Sequence, residues 1–125
     1  MHITHVALWT DQLERMKNFY TQHFGATANK KYHNPGKKFT SYFLTFASGT
    51  QLELMRQPGR TRHVPRTLGY AHVAISLGTK DQVDAKTHEL EQAGYTRLDG
   101  PRTTGDGYYE STFADPDGNV LELTI

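Results

Sequence analysis

Residues 4–10 read THVALWT and residues 71–77 read AHVAISL, so a histidine followed by Val-Ala heads two short apolar runs in one chain. After the first run comes QLERMKNFYTQHFG, in which Leu13, Met16, Phe19, Tyr20 and Phe24 recur at three- and four-residue steps. That spacing is an amphipathic helix, and Gly25 supplies its stop. After the second comes TKDQVDAKTHELEQAG, with Val83, Thr87, Leu90 and Ala93 in the same period, Asp81 as cap and Gly94 as stop. Three strand-like runs follow each helix. They are ATANKKYHN, KFTSYFLTFAS and TQLELM in the first half, and YTRLDGP, YYESTFAD and NVLELTI in the second. His72 follows His5 by 67 residues, and Gly94 and Gly25, Gly118 and Gly49, and Glu122 and Glu53 are each 69 apart. The order of elements predicts an α+β fold over 1–125. It is one domain of two βαβββ repeats, about 2–56 and 70–125, joined by a Pro-, Gly- and Arg-rich connector over 57–69.

A chain of 125 residues is long enough to bury a core. Fourteen Lys and Arg stand against thirteen Asp and Glu, for a net charge of +1. So even a balance gives no general pull toward nucleic acid or an anionic membrane. There is no cysteine, which excludes disulfides and thiolate metal sites and is compatible with a reducing compartment. The stretch MHITHVALWT has neither a basic n-region nor a long apolar run, and no window approaches a membrane span. The expectation is a cytoplasmic protein with a small-molecule substrate, and neither nucleic acid nor membrane as partner.

Strand alternation sets where the polar residues point. Val6 and Leu8 share one side, His5 and Ala7 the other; Val73, Ile75 and Leu77 likewise oppose His72. In the two LEL runs, Leu52 and Leu54 oppose Glu53, and Leu121 and Leu123 oppose Glu122. Each half therefore offers one imidazole and one carboxylate on the face away from its aliphatic residues. Two histidines and two glutamates at repeat-related positions make a mixed N/O set suited to a first-row divalent ion. Four protein ligands leave up to two octahedral positions for water or substrate oxygens.

The runs HVALWT…FYTQHFG, TQLEL, YAHVAIS and FADPDGNVLEL together resemble the vicinal oxygen chelate superfamily, which includes glyoxalase I. The resemblance covers essentially residues 2–125. It implies two βαβββ modules forming cupped, mostly antiparallel mixed sheets around a metal. It also implies a homodimer, with site halves drawn in several members from different chains. Glyoxalase I-like lyases use His, Glu, His and Glu in the order met here as His5, Glu53, His72 and Glu122. Fosfomycin-resistance enzymes and extradiol dioxygenases use a His-His-Glu set, and the bleomycin-binding members have dispensed with the ligands. The implied function is a divalent-metal-dependent lyase of the lactoylglutathione lyase type. It would convert a 2-oxoaldehyde–thiol adduct by proton transfer through an enediolate. The resemblance makes Glu122 the base and Glu53 its symmetric counterpart, with Ni2+ or Zn2+ the first choices of ion and Mn2+, Co2+ or Fe2+ further fits. The alternative is a small-molecule binding or resistance protein of the same superfamily, by sequestration or by thiol or water transfer to an epoxide.

One position departs from the pattern. Bacterial glyoxalase I-like enzymes carry, four residues after the first ligand, an Arg that holds a glutathione carboxylate; here it is Trp9. The Asn four after the first Glu is Gln57. An indole cannot pair with a carboxylate, so a cation must come from elsewhere: Arg56, Arg60, Arg62 and Arg66 near the connector, or Lys37 and Lys38. In RTTGDGYYES at 102–111, two glycines flank Asp106, and Tyr108 or Tyr109 is expected to face the substrate. His2, His23, His33, His63 and His88 have no repeat-related partners and read as surface residues.

Overall fold

In the computed structural model, residues 2–61 and 68–125 are described. The chain divides into two compact units, Met1–His63 and Val64–Ile125. The connector positions 62–67, with Arg62, His63 and Arg66, lie outside the described residues.

The first unit runs β1 (His5–Trp9), α1 (Leu13–Phe24), β2 (Thr27–Ala28), β3 (Tyr32–Asn34), β4 (Phe39–Thr45) and β5 (Gln51–Arg56). Its sheet has the order β1-β5-β4-β2, with β3 also on β4; β1–β5 is parallel and the other pairs are antiparallel. The helix forms because Leu13, Met16, Phe19 and Tyr20 share one stripe, and all four are buried. They pack on Tyr42, Leu44, Leu52 and Leu54, which alternation turns to the helix side of β4 and β5. Fully burying each such side chain contributes about 1.5–3 kcal/mol. Gly25 ends the helix in the left-handed region, at φ 63°.

The second unit repeats the plan with β6 (His72–Ser76), α2 (Lys80–Gln92), β7 (Arg97–Thr103), β8 (Tyr109–Ala114) and β9 (Val120–Thr124). The sheet order is β6-β9-β8-β7, again with one parallel pair, β6–β9. Val83 and Leu90 of α2 are buried with Phe113, Leu121 and Leu123. Thr87, on the same stripe, satisfies its buried hydroxyl on the Val83 carbonyl and on Ser111 Oγ, both at 2.7 Å. The Asp115 carboxylate ties the DPDGN turn by accepting from the backbone N–H groups of Asp117 and Asn119, each at 2.9 Å. That motif is accounted for as the β8–β9 turn. Among the described residues no helix is long and apolar enough to cross a membrane.

Three local expectations are corrected. The cap of α2 is Thr79, whose hydroxyl accepts from the Gln82 N–H at 3.3 Å and donates to Gln82 Oε1 at 3.0 Å; Asp81 sits inside the first turn. Ala93 is the exposed C-cap residue rather than a core position. The run 26–34 is two short strands, because Asn29 intervenes. Its N–H donates to the Phe43 carbonyl at 3.0 Å, while its side-chain Oδ1 accepts from the Phe43 N–H at 2.8 Å. A side chain thus takes the acceptor place that a strand carbonyl would occupy.

Glu14, in the first turn of α1, joins the helix to the sheet. It receives Lys31 Nζ at 2.8 Å, Lys17 Nζ at 3.2 Å and the Tyr42 hydroxyl at 3.2 Å. The Lys31 ammonium, foremost, holds this carboxyl below the usual glutamate range. A depressed carboxyl stabilises the fold above its unfolded pKa, and that contribution is lost as pH falls through the folded value. Half-exposure screens the effect, so Glu14→Gln is expected to cost no more than about 0.5–1 kcal/mol at pH 7. The difference from wild type should shrink in urea titrations carried down through the acid range below the ordinary glutamate pKa of about 4.3.

Candidate metal centre

Each sheet has a helix on one face; the other face carries the polar residues. In β1–β5, Ala7 is registered with Glu53, and His5 precedes Ala7 by one pleat. In β6–β9, Ala74 is registered with Glu122, and His72 holds the same place. The small alanine between each histidine and its glutamate keeps the two polar heads together. His5 Nε2 lies 3.8 Å from Glu53 Oε2, and His72 Nε2 lies 3.4 Å from Glu122 Oε2. The carboxylates are shielded, at 15% and 19% exposure, while the imidazoles are open at 39% and 43%. A group approaching this face meets the imidazoles first and finds the carboxylates fixed behind them.

His5 is further oriented. Its Nδ1 lies 3.1 Å from Thr4 Oγ1, and its ring meets Phe43 edge-on at 5.3 Å. The hydrogen bond at Nδ1 leaves Nε2 for Glu53 or for an ion. Two atoms bound to one ion at about 2.1 Å and at right angles sit about 3 Å apart, so each His–Glu pair needs only a small closure to become two ligands. Among the described residues no group of three or more His, Cys, Asp or Glu side chains is gathered to hold a metal. Each unit offers a pair.

The second unit adds a carboxyl that alternation alone underrates. Glu110 is registered with Thr124, one pleat from the Thr112–Glu122 pair, and so shares the helix-free face with Glu122. Burial first, and then the charge of Glu122, push its carboxyl above the usual range, while Arg102 at 3.4 Å works the other way. The signal was present in the sequence: 110, 112 and 122 fall on one face once the register of the β8–β9 turn is known.

The other expected contacts separate. Trp9 is registered with Met55 and lies on the His5–Glu53 face. Arg56 is registered with Thr40 and turns to the helix side. There it lines a groove of about 320 Å³ with Gln12, Glu14 and Lys31, away from Glu53. Gln57 follows β5 and donates from Nε2 to the Lys37 carbonyl at 3.1 Å. Tyr109 faces α2, where its hydroxyl donates to Asp84 at 2.7 Å, so of the two tyrosines only Tyr108 is left exposed in the turn. Asp106 accepts from the Thr104 hydroxyl within that turn. His2, His33 and His88 are exposed, and His23 is half-buried against Phe19.

A family model described as the Glyoxalase/Bleomycin resistance protein/Dioxygenase superfamily matches residues 2–123. The chain belongs to that superfamily. It is 30% identical over 126 residues to a probable lactoylglutathione lyase of Vibrio cholerae serotype O1, covering 97% of this chain and 88% of the relative. It is also 30% identical over 131 residues to biphenyl-2,3-diol 1,2-dioxygenase 3 of Rhodococcus globerulus, covering 98% of this chain and 62% of that one. Among solved structures, glyoxalase I from Zea mays superposes with a TM-score of 0.82 at 25% identity, over 98% of this chain and 44% of the maize chain. This chain thus spans less than half of the maize protein and most of the Vibrio one. The glyoxalase-like fold, with two mixed sheets and a helix on each, is the one the resemblance implied.

Proposed function

We propose that this superfamily member is a divalent-metal-dependent lyase of the glyoxalase I type, acting on a 2-oxoaldehyde–thiol adduct. What carries the reading is the equivalence of the two His–Glu pairs, which hold the same residue types at the same register in both units. His5, Glu53, His72 and Glu122 would hold the ion, the second pair coming from the same chain or from a partner chain in a homodimer. An N₂O₂ set of this kind fits Ni2+ or Zn2+, and also Mn2+, Co2+ or Fe2+. A bound ion supplies Lewis-acid polarisation of the substrate carbonyl. Glu122 takes the proton from the adjacent carbon onto a carboxylate oxygen and returns one to the neighbouring carbon. Glu53 is its counterpart, and Phe43 packs edge-on against the His5 ring. The setting is cytoplasmic.

A second reading, capture of a small molecule without turnover, is favoured by the aromatic run of Trp9, Phe39 and Tyr32 in the first unit. Elemental analysis of the purified protein, paired with a methylglyoxal–thiol isomerase assay over several thiols, separates the two. The lyase reading expects about one ion for each His₂Glu₂ set and activity lost on chelation and regained with metal. A protein that holds no divalent ion and gains nothing when one is added would sink it.

A further inference from the structure

Glu110 stands where stability alone would not put it. Its side chain is only 12% exposed on the helix-free face of the second unit, and its carboxyl is within hydrogen-bonding reach of that of Glu122. Like charges close together on one sheet face cost stability, and a shielded carboxylate is costly unless it is paired. Arg102 offsets part of that cost. It lies directly across from Glu110 on β7 and donates from Nη2 to Glu110 Oε1 at 3.4 Å. Asp99 Oδ2 in turn holds Arg102 Nε at 2.8 Å, the two meeting where the register of β7 on β8 shifts between them.

These groups form one line across the four strands. Arg102 of β7 opposes Glu110 of β8, and Glu110, opposite Thr124, is the diagonal neighbour of Glu122 on β9. Glu122, opposite Ala74, meets His72 of β6 at 3.4 Å. Diagonal neighbours on a sheet are within reach of each other when both side chains are long. The first unit is built differently at this point. Ser41, opposite Met55, holds the place that Glu110 holds in the second, and has no carboxyl to offer Glu53. The two His–Glu pairs are alike in register and differ in what stands behind the glutamate.

We propose that Glu110, braced by Arg102, is the positioning residue that sets Glu122 against His72 and so prepares the second pair for a divalent ion. This deepens the reading of the four residues as a metal centre, and rests on it for the ion. A glutamate turns about three side-chain bonds, and a hydrogen bond at one oxygen removes much of that freedom while leaving the other oxygen for the metal. A glutamine at position 110 keeps a donor for that bond, and an alanine does not.

The test titrates Co2+ into the full chain, stripped of metal, and follows the visible absorption of the bound ion. Glu110→Ala is expected to weaken Co2+ binding about 10- to 100-fold, the usual loss when the partner behind a metal ligand is removed. Glu110→Gln should stay close to wild type. Arg102→Gln should lose less than Glu110→Ala, and the double variant no more than Glu110→Ala alone, because Arg102 acts through Glu110. Glu110→Ser, which copies the residue of the first unit, repeats the measurement should the alanine variant not fold. Ring-nitrogen NMR of His72 reads the same contact without metal. Its signals are expected to move in Glu110→Ala and to hold in Glu110→Gln, while those of His5 hold in both. Equal losses in the alanine and glutamine variants, losses that add in the double variant, or His72 signals that ignore Glu110→Ala would each overturn the proposal. A wild type that takes up no Co2+, with His72 signals that move as expected, removes the metal centre and leaves the positioning of Glu122 standing. Ion uptake that Glu110→Ala leaves unchanged does the reverse.

Discussion

Glu122→Gln is expected to lower isomerase turnover by about 10²- to 10⁴-fold, the usual contribution of a positioned general base. The substitution keeps the shape of the side chain and a carbonyl oxygen able to face His72 and an ion, but removes the group that can accept a proton. Metal content is measured on the same preparation, because the prediction concerns chemistry and not occupancy. Glu122→Ala serves as the contrast: it removes the oxygen as well, and both ion and activity should be lost. Glu122 lies on the helix-free face at 19% exposure, so the amide should fold as wild type does. Glu53→Gln, at the matching register of the first unit, should cost less. Full turnover by Glu122→Gln with the ion still bound would remove it as the base, and a larger loss in Glu53→Gln would transfer the role to the first unit.

The pairs themselves were legible because they depend on two robust regularities. Period-2 alternation places His5 and Glu53 opposite the aliphatic face, and the repeat, offset by 67 residues at the histidine and 69 at the glutamate, places His72 and Glu122 in the same relation. What one chain's sequence could not carry were relations set by tertiary detail. Tyr109 reads as a coin-toss with Tyr108 until Asp84 of α2 is seen to hold its hydroxyl. Arg56 reads as the nearest cation to Glu53, yet the same alternation that exposes Glu53 on one side sends Arg56 to the other. That inference was open to the sequence and was missed. Arg60 is one of several cations the sequence offers, and its place over Trp9 depends on the course of the chain after β5 and on the Gln57–Lys37 link. Asn29 shows the same limit on the scale of a single bond. Its composition fits a strand residue no better than a turn residue, and the side-chain acceptor that splits β2 from β3 is a matter of geometry.

Gly100→Ala should be the most damaging of the glycine-to-alanine changes, at about 2–5 kcal/mol. Two separate costs fall on this residue. Its φ of +74° lies in the left-handed region, where an L side chain loses about 1–2 kcal/mol. A methyl there would also stand 2.5 Å from the Glu110 carbonyl oxygen and 2.9 Å from the Ser111 α-carbon. Both neighbours are backbone of β8, so neither can rotate away, and the strand must shift. Gly94 separates the two costs. It has φ +84° with nothing within 4 Å of the added carbon, so Gly94→Ala should lose only the conformational part, about 1–2 kcal/mol. Urea midpoints at constant slope measure both. A shift in β8 would also disturb Ser111, whose hydroxyl pairs with Thr87, and Glu110 beside Glu122. Loss of activity at permissive temperature should therefore accompany the loss of stability in Gly100→Ala and be absent in Gly94→Ala. Equal destabilisation by the two variants would mean that β7 does not approach β8 this closely at Gly100.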